Sequence, residues 1–286
     1  MNCKVCGKSG IKTIGAPVVE PGFENFIRHD YKVVRCRNCG FYFLDPEIDL
    51  SLYEWEKVLN SVDTINKYSK IMLGKKEIAD RFDSLVTYTG VKDIDILITG
   101  CNTGLAVEEA LSRGWKVTAV DEVDNRKNGA RAEGVIFYEG EFEKLNFKGS
   151  KFDIIFSDLS LNRSANVPGF LTKIKSLLKI DGYSFIRVFN SNSLEARIEE
   201  LQNKTSGKEK LSARIQPFTF PYSVSGFDKN NIKVALKRSS LKLIEMKLNN
   251  LNKSDSIVKR LAKLPLSITA SFLNRSNYIE MIIKSL

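Results

Sequence analysis

The 286-residue chain contains one histidine, His29, so outside its N-terminal segment no imidazole is available as a general base or metal ligand. It also has no apolar run long enough to span a bilayer. The longest late stretch, Leu264–Leu273, is half of the ~20 residues a crossing helix needs, and Pro265 interrupts it. The N-terminus, Met-Asn-Cys-Lys-Val-Cys, has no apolar core of a secretory signal. The expected compartment is therefore the reducing cytoplasm. The five cysteines read as thiols or metal ligands before disulfides. Apolar residues at 43% and charged residues at 27% exclude a wholly disordered or collagen-like chain.

Charge is unevenly spread. The formal net charge is +10, yet residues 1–200 carry 28 basic against 29 acidic side chains, and residues 201–286 carry 16 against 5. The excess belongs to the last third, where it favours an anionic partner such as a phosphorylated small molecule, nucleic acid or anionic lipid.

Four cysteines form two CxxCG units, Cys3-Lys-Val-Cys6-Gly7 and Cys36-Arg-Asn-Cys39-Gly40, with 29 residues between Cys6 and Cys36. Two such turns present four thiolates, which satisfy a tetrahedral Zn²⁺ and leave no open coordination position. The metal expected at Cys3, Cys6, Cys36 and Cys39 is thus structural. The β-prone stretches Ile11–Val19, Tyr31–Arg35 and Phe41–Leu44 fit a small β zinc ribbon over residues 1–52. His29 falls inside it as a surface or packing residue.

Residues 53–92 read as a helical connector, because Ile65, Tyr68, Ile71, Met72, Ile78, Ala79, Phe82 and Leu85 recur at helical spacing. Over residues 93–286 strands and helices alternate. Strands are predicted at Ile94–Thr99, Trp115–Val120, Gly134–Tyr138, Phe152–Ser157, Tyr183–Phe189, Leu241–Leu248 and Tyr278–Ile283. Helices are predicted at Leu105–Ser112, Phe170–Leu178, Leu194–Leu201 and Asn231–Arg238. This order specifies a doubly wound, Rossmann-like α/β sheet with its ligand crevice at the carboxyl ends of the first strands. A glycine turn, Gly100-Cys-Asn-Thr-Gly104, follows the first strand, and Asp121-Glu122 ends the second. Such a turn admits close approach of a ligand, and such an acid accepts ribose hydroxyls.

Ile96-Leu-Ile-Thr-Gly-Cys-Asn-Thr-Gly104, Gly114–Asp121, Glu139-Gly-Glu-Phe-Glu143, Phe152–Asp158 and Leu177–Tyr183 together resemble, in order and spacing, the class I S-adenosylmethionine-dependent methyltransferases. The CxxCG pairs resemble a bacterial subfamily with an N-terminal zinc ribbon that includes sugar and surface-polysaccharide methyltransferases. The resemblance implies a seven-stranded sheet. It puts Gly100, Cys101, Asn102 and Gly104 beside the methionine part of the cofactor and Asp121 on the ribose. Glu122 or Val123 then flanks the adenine, Glu141 and Phe142 contact its amine and ring face, and Ser157 and Asp158 border the sulfonium. Ile98 stands where the family usually has an acid, and Asn102 where it has a glycine. The usual histidines are absent, including from Gln216–Tyr222.

The last third holds a polar loop, Lys204–Lys210, and a short basic amphipathic stretch, with Ile257, Leu261 and Leu264 on one face and Lys259, Arg260 and Lys263 on others. A surface helix packed on the sheet is the favoured reading of that stretch, with peripheral membrane contact as its alternative. The expected function is methyl transfer to an anionic small-molecule acceptor, a nucleotide-linked or phosphorylated sugar or a glycolipid precursor. An RNA methyltransferase and a noncatalytic cofactor-binding scaffold are the alternatives.

Overall fold

The computed structural model describes residues 1–19, 30–48, 71–205, 211–212, 214–218, 222–249 and 276–286. His29, Ile65, Tyr68, residues 206–210, residues 219–221 and the Ile257–Leu264 stretch lie outside the described residues. Among the described residues no helix is long and apolar enough to cross a membrane.

Three strands come first: β1 (Ile11–Pro17), β2 (Lys32–Cys36) and β3 (Tyr42–Asp45). The α/β part follows with α1 (Lys75–Thr89), β4 (Asp95–Thr99), α2 (Leu105–Ser112), β5 (Lys116–Asp121), β6 (Ile136–Glu139), β7 (Phe152–Asp158), α3 (Ser160–Arg163), α4 (Val167–Leu177) and β8 (Leu178–Phe189). The chain ends with α5 (Leu194–Thr205), β9 (Leu211–Ser212), β10 (Ser225–Gly226), α6 (Lys229–Arg238), β11 (Leu241–Asn249) and β12 (Tyr278–Ser285).

The main sheet has seven strands in the order β11-β12-β8-β7-β4-β5-β6. Neighbours from β8 to β6 are parallel, and β12 pairs antiparallel with both β8 and β11. This is the Rossmann-like methyltransferase fold. Strand order reverses at β4, which has β5 on one side and β7 on the other, and a crevice opens outside the carboxyl ends at such a switch point.

Both faces of the central strands are buried, so they read as continuous apolar runs. Ile96, Ile98, Ile154 and Phe156 face one core with Ile78, Phe82 and Leu85 of α1 and Val107 and Ala110 of α2. Leu97, Ile155 and Ile186 face the other with Phe170 and Ile174 of α4 and Ile232 of α6. Helix α1 starts at Lys75, after the non-helical stretch Met72–Gly74, because the Glu77 carboxylate accepts the Gly74 N–H at 2.8 Å and closes the first turn. It stops at Gly90, which turns left-handed and donates back to Val86 O.

The N-terminal sheet is built from both ends of the chain. Its order is β10-β3-β2-β1-β9, so segments that follow β8 pair with both of its edges. Its inner residues Val5, Val34, Phe41 and Phe43 belong to the same core as α4 and α6, and Phe41 lies 5.4 Å from Phe227 between ring centres. Arg238 at the end of α6 donates to Cys6 O at 2.7 Å.

Candidate functional site

The glycine turn is shaped by its surroundings. Gly100 N–H and Cys101 N–H both donate to Val120 O of β5, which locks the end of β4 beside β5. Asn102 takes φ +48°, a left-handed conformation that asparagine tolerates, and its side-chain amide donates to Gly100 O at 2.8 Å. The loss of the middle glycine is thereby absorbed locally. Gly104 has φ +90°, and a Cβ there would lie 2.1 Å from the Ala130 Cβ, so its glycine answers packing of the loop after β5.

The crevice divides into two cavities that share Thr99 and Gly100. The larger, about 530 Å³, is bounded by Asp121, Glu122, Glu141, Phe142, Arg163 and Phe170 among others, and reaches Glu47 and Ile48 beyond β3. The smaller, about 20 Å³, is closed by Met72, Leu73, Cys101, Asn102, Leu105 and Asp158. The first has the size of a ligand pocket.

Of the residues expected at the cofactor, Gly100, Asp121, Glu122, Glu141 and Phe142 border the larger cavity, and Gly100, Cys101, Asn102 and Asp158 the smaller. Gly104 and Ser157 border neither. Ser157 is fully buried and its hydroxyl meets Ser160 Oγ at 2.8 Å, which in turn meets Thr99 Oγ1 at 2.7 Å. Phe142 packs on Phe170 with ring centres 4.7 Å apart and closes the cavity wall. Cys101 is buried, and burial pushes its thiol well above the ordinary value, so it is a small wall residue rather than a nucleophile.

Charge in the crevice is organised by Arg163, a residue that sequence reasoning did not single out. Its Nη2 donates to Asp121 Oδ1 at 3.0 Å and to Glu122 Oε2 at 2.6 Å. Asp121 Oδ2 accepts the Asn102 N–H at 2.7 Å. Burial raises the Asp121 pKa to about 8, with Arg163 pulling the other way. Burial is also the largest influence on Glu122, but the Arg163 charge together with hydrogen bonds to Asp121, to backbone and to Arg163 outweighs it, and Glu122 titrates below its ordinary value. Nothing in the local sequence Ser160-Leu-Asn-Arg163 marks an arginine that folds back over β5; that contact exists only once β5 and β7 flank β4.

Asp158 is likewise engaged. Arg187, fully buried, holds it through Nε and through Nη2 at 3.0 Å to Oδ2, and stacks 4.5 Å from the Tyr278 ring centre. The pair also fixes backbone before α1: Arg187 donates to Ile71 O at 2.8 Å, and Asp158 accepts from Leu73 N. Asp158 faces the small cavity while Tyr278 faces another cavity of about 250 Å³ at the end of β8, bounded also by Asn190, Glu195, Glu199, Arg214 and Gln216.

The four cysteines converge. The ligand atoms of Cys3, Cys6, Cys36 and Cys39 all lie within 4.8 Å of one another, and Cys3–Cys39 and Cys6–Cys36 are each 3.6 Å apart. Sulfurs at the corners of a zinc tetrahedron with ~2.3 Å bonds sit ~3.8 Å apart, so the set fits. Each CxxC turn is closed by its glycine, Gly7 N–H donating to Cys3 O and Gly40 N–H to Cys36 O.

The model of the methyltransferase domain family matches residues 97–186, which run from β4 to β8. Over those residues the chain is similar to methyltransferase domains. A ubiquinone biosynthesis O-methyltransferase of Bartonella bacilliformis is 29% identical over 149 residues, covering 48% of this chain and 59% of that protein, so the chain spans about three fifths of its relative's length. A methyltransferase from Bacillus halodurans superposes with TM-score 0.51 at 14% identity, covering 74% of this chain and all of the other. The magnesium protoporphyrin IX methyltransferase of Synechocystis, solved with S-adenosylhomocysteine bound, gives TM-score 0.51 at 10% identity over 81% of this chain and 92% of that one. These structural likenesses bear on the fold.

Proposed function

We propose that the chain binds S-adenosylmethionine in the crevice at the ends of β4 and β5 and transfers its methyl group to a small polar acceptor held at the end of β8. The observation that carries this reading is the pair of cavities meeting at Gly100, with buried acids and an aromatic wall on one side and the Asp158–Arg187 wall on the other. When bound, the cofactor supplies a methyl group already activated on a cationic sulfur. The protein must then position and desolvate more than it must activate. Asp121 and Glu122 offer acceptors to ribose, Phe142 a face to the base, and Gly100 backbone room. The Asp158–Arg187 pair leaves no uncompensated charge beside the small cavity and holds the Ile71–Leu73 backbone.

The acceptor we infer is anionic, a nucleotide-linked or phosphorylated sugar or a glycolipid precursor of surface-glycan synthesis. Two features support it: the resemblance of the CxxCG pairs to ribbon-bearing sugar methyltransferases, and the basic excess of residues 201–286. We assign Zn²⁺ to the four cysteines in a structural role. The support for it is geometric: the four ligand atoms all lie within 4.8 Å of one another.

Calorimetry with S-adenosylmethionine, followed by a methyl-transfer assay read by mass on nucleotide sugars, glycolipid precursors and RNA, tests the reading. Binding with methylation of a sugar acceptor is expected. Methylation of RNA alone would move the acceptor to nucleic acid, and binding with no turnover on any of them would leave a cofactor-binding scaffold.

A further inference from the structure

We propose that Arg163 is a built-in occupant of the ribose-binding acids, and that an adenosyl ligand enters by displacing its guanidinium from Asp121. The inference rests on the reading of the crevice as an S-adenosylmethionine site and adds a residue that sets the affinity of that site.

The short helix α3 leaves β7 through Leu159 at φ +63°, which turns the chain back across the crevice. Ser160 then lies under Gly100, where an added Cβ would meet the Ser160 Cβ at 2.8 Å, and the Arg163 Nη2 would lie 3.4 Å away. One turn later the Arg163 side chain, 5% exposed, spans the cavity to β5. It therefore stands between the turn that would carry the cofactor and the acid that would hold its ribose.

Asp121 has little capacity left. A carboxylate offers about four lone-pair positions, and one fewer while it holds the proton that burial favours. Three donors already reach this one: Asn102 N–H at 2.7 Å, Glu122 N–H at 2.9 Å and Arg163 at 3.0 Å. Two neighbouring ribose hydroxyls need two acceptor positions on the same acid. The Asn102 and Glu122 donors are backbone groups of the glycine turn and of the end of β5, so they cannot leave without unfolding the site. Arg163 is a long side chain that can. Glu122 remains as its partner at 2.6 Å, so release from Asp121 does not strand a buried cation. The exchange is also balanced in charge, since S-adenosylmethionine brings a cationic sulfur into the crevice that the guanidinium partly vacates.

The test is calorimetric titration of the full-length, zinc-loaded protein and its Arg163→Gln variant with S-adenosylhomocysteine. This probe has no sulfonium charge, so a gain in affinity cannot come from that charge. The variant should bind it at least fivefold more tightly than the wild type, and adenosine should show the same gain while its dideoxy analogue shows none. If Arg163→Gln does not fold, Arg163→Lys, which keeps a cation but loses the planar fork, should still tighten binding by a smaller factor. Unchanged or weaker binding in the folded variant overturns the proposal and leaves the cofactor reading standing, as does a gain that persists with the dideoxy compound. Failure of the wild type and the variants alike to bind S-adenosylhomocysteine at millimolar concentration removes the cofactor reading and the proposal with it.

Discussion

Asp158→Asn should be among the most damaging isosteric substitutions in the chain. It leaves shape and volume in place but strips the counter-charge from Arg187, whose side chain is fully buried and whose Nη1 has no hydrogen-bond partner among the described residues even in the wild type. Breaking one partner of a buried pair costs about 3–5 kcal/mol because the remaining charge is uncompensated. The Tyr278 ring, 4.5 Å from the guanidinium, returns at most ~2 kcal/mol and is already counted in the wild type, so it offers no new relief. At roughly 2 °C per kcal/mol for a chain of this size, the melting temperature should fall by roughly 6–10 °C. Urea unfolding followed by circular dichroism measures the loss, with an unchanged m-value confirming that the compactness of the end states is the same. Adding Arg187→Met removes the orphaned charge, and the double variant should recover at least ~2 kcal/mol of the loss. A cost below ~1 kcal/mol for Asp158→Asn, or a double variant no more stable than the single one, would refute this account of the wall between the cavities.

Other perturbations have definite signs. Asp121 has its folded-state pKa raised from 3.8 to about 8, so between those values the folded chain holds a proton that the unfolded chain has released. That contribution is full below ~pH 4 and is lost as pH rises through about 8, so urea stability should decline over that interval. Asp121→Asn should flatten the slope, and an unchanged slope would mean another group causes it. Gly104→Ala brings a Cβ to 2.1 Å from Ala130 at φ +90° and should destabilise by more than ~1 kcal/mol. Adding Ala130→Gly should relieve the clash but not the backbone strain, which a second melting curve reads. Chelation at neutral pH should release one zinc per chain by metal analysis and lower the melting temperature of the entire protein in a single transition, because Cys3, Cys36 and Phe41 share a core with α4 and α6. Two separate transitions would mean that the ribbon folds alone.

Strand by strand, the α/β order was legible because each central strand is a short apolar run closed by a turn, and α2 begins and ends where the sequence places it. Strand boundaries moved by a residue or two, inward at the starts of β4, β5 and β6 and outward at the ends of β7 and β12, while α5 runs on to Thr205, so Lys204 and Thr205 are helical and not loop. The larger shift is β8, which starts at Leu178 instead of Tyr183 because Leu178 pairs with Phe152 ahead of a register shift in the ladder. Helix α4 starts at Val167 rather than Phe170, since the Asn166 side chain caps it by accepting the Gly169 N–H and Pro168 tolerates the first turn. The cysteine cluster was legible from spacing alone. What no local pattern carried is the long-range charge pairing, Arg163 with Asp121 and Arg187 with Asp158, because each joins residues 29 to 42 positions apart through strand order. Strands β9 and β10, two residues each, were equally invisible, being made by the edges they complete.

The central claim is that the Gly100–Asp121 crevice holds S-adenosylmethionine. Titration of the zinc-loaded full chain with S-adenosylmethionine, beside Asp121→Ala, tests it most directly. The account predicts saturable binding at one site per chain, weakened at least tenfold by the substitution. No binding at millimolar cofactor, or binding that Asp121→Ala leaves unchanged, would contradict it.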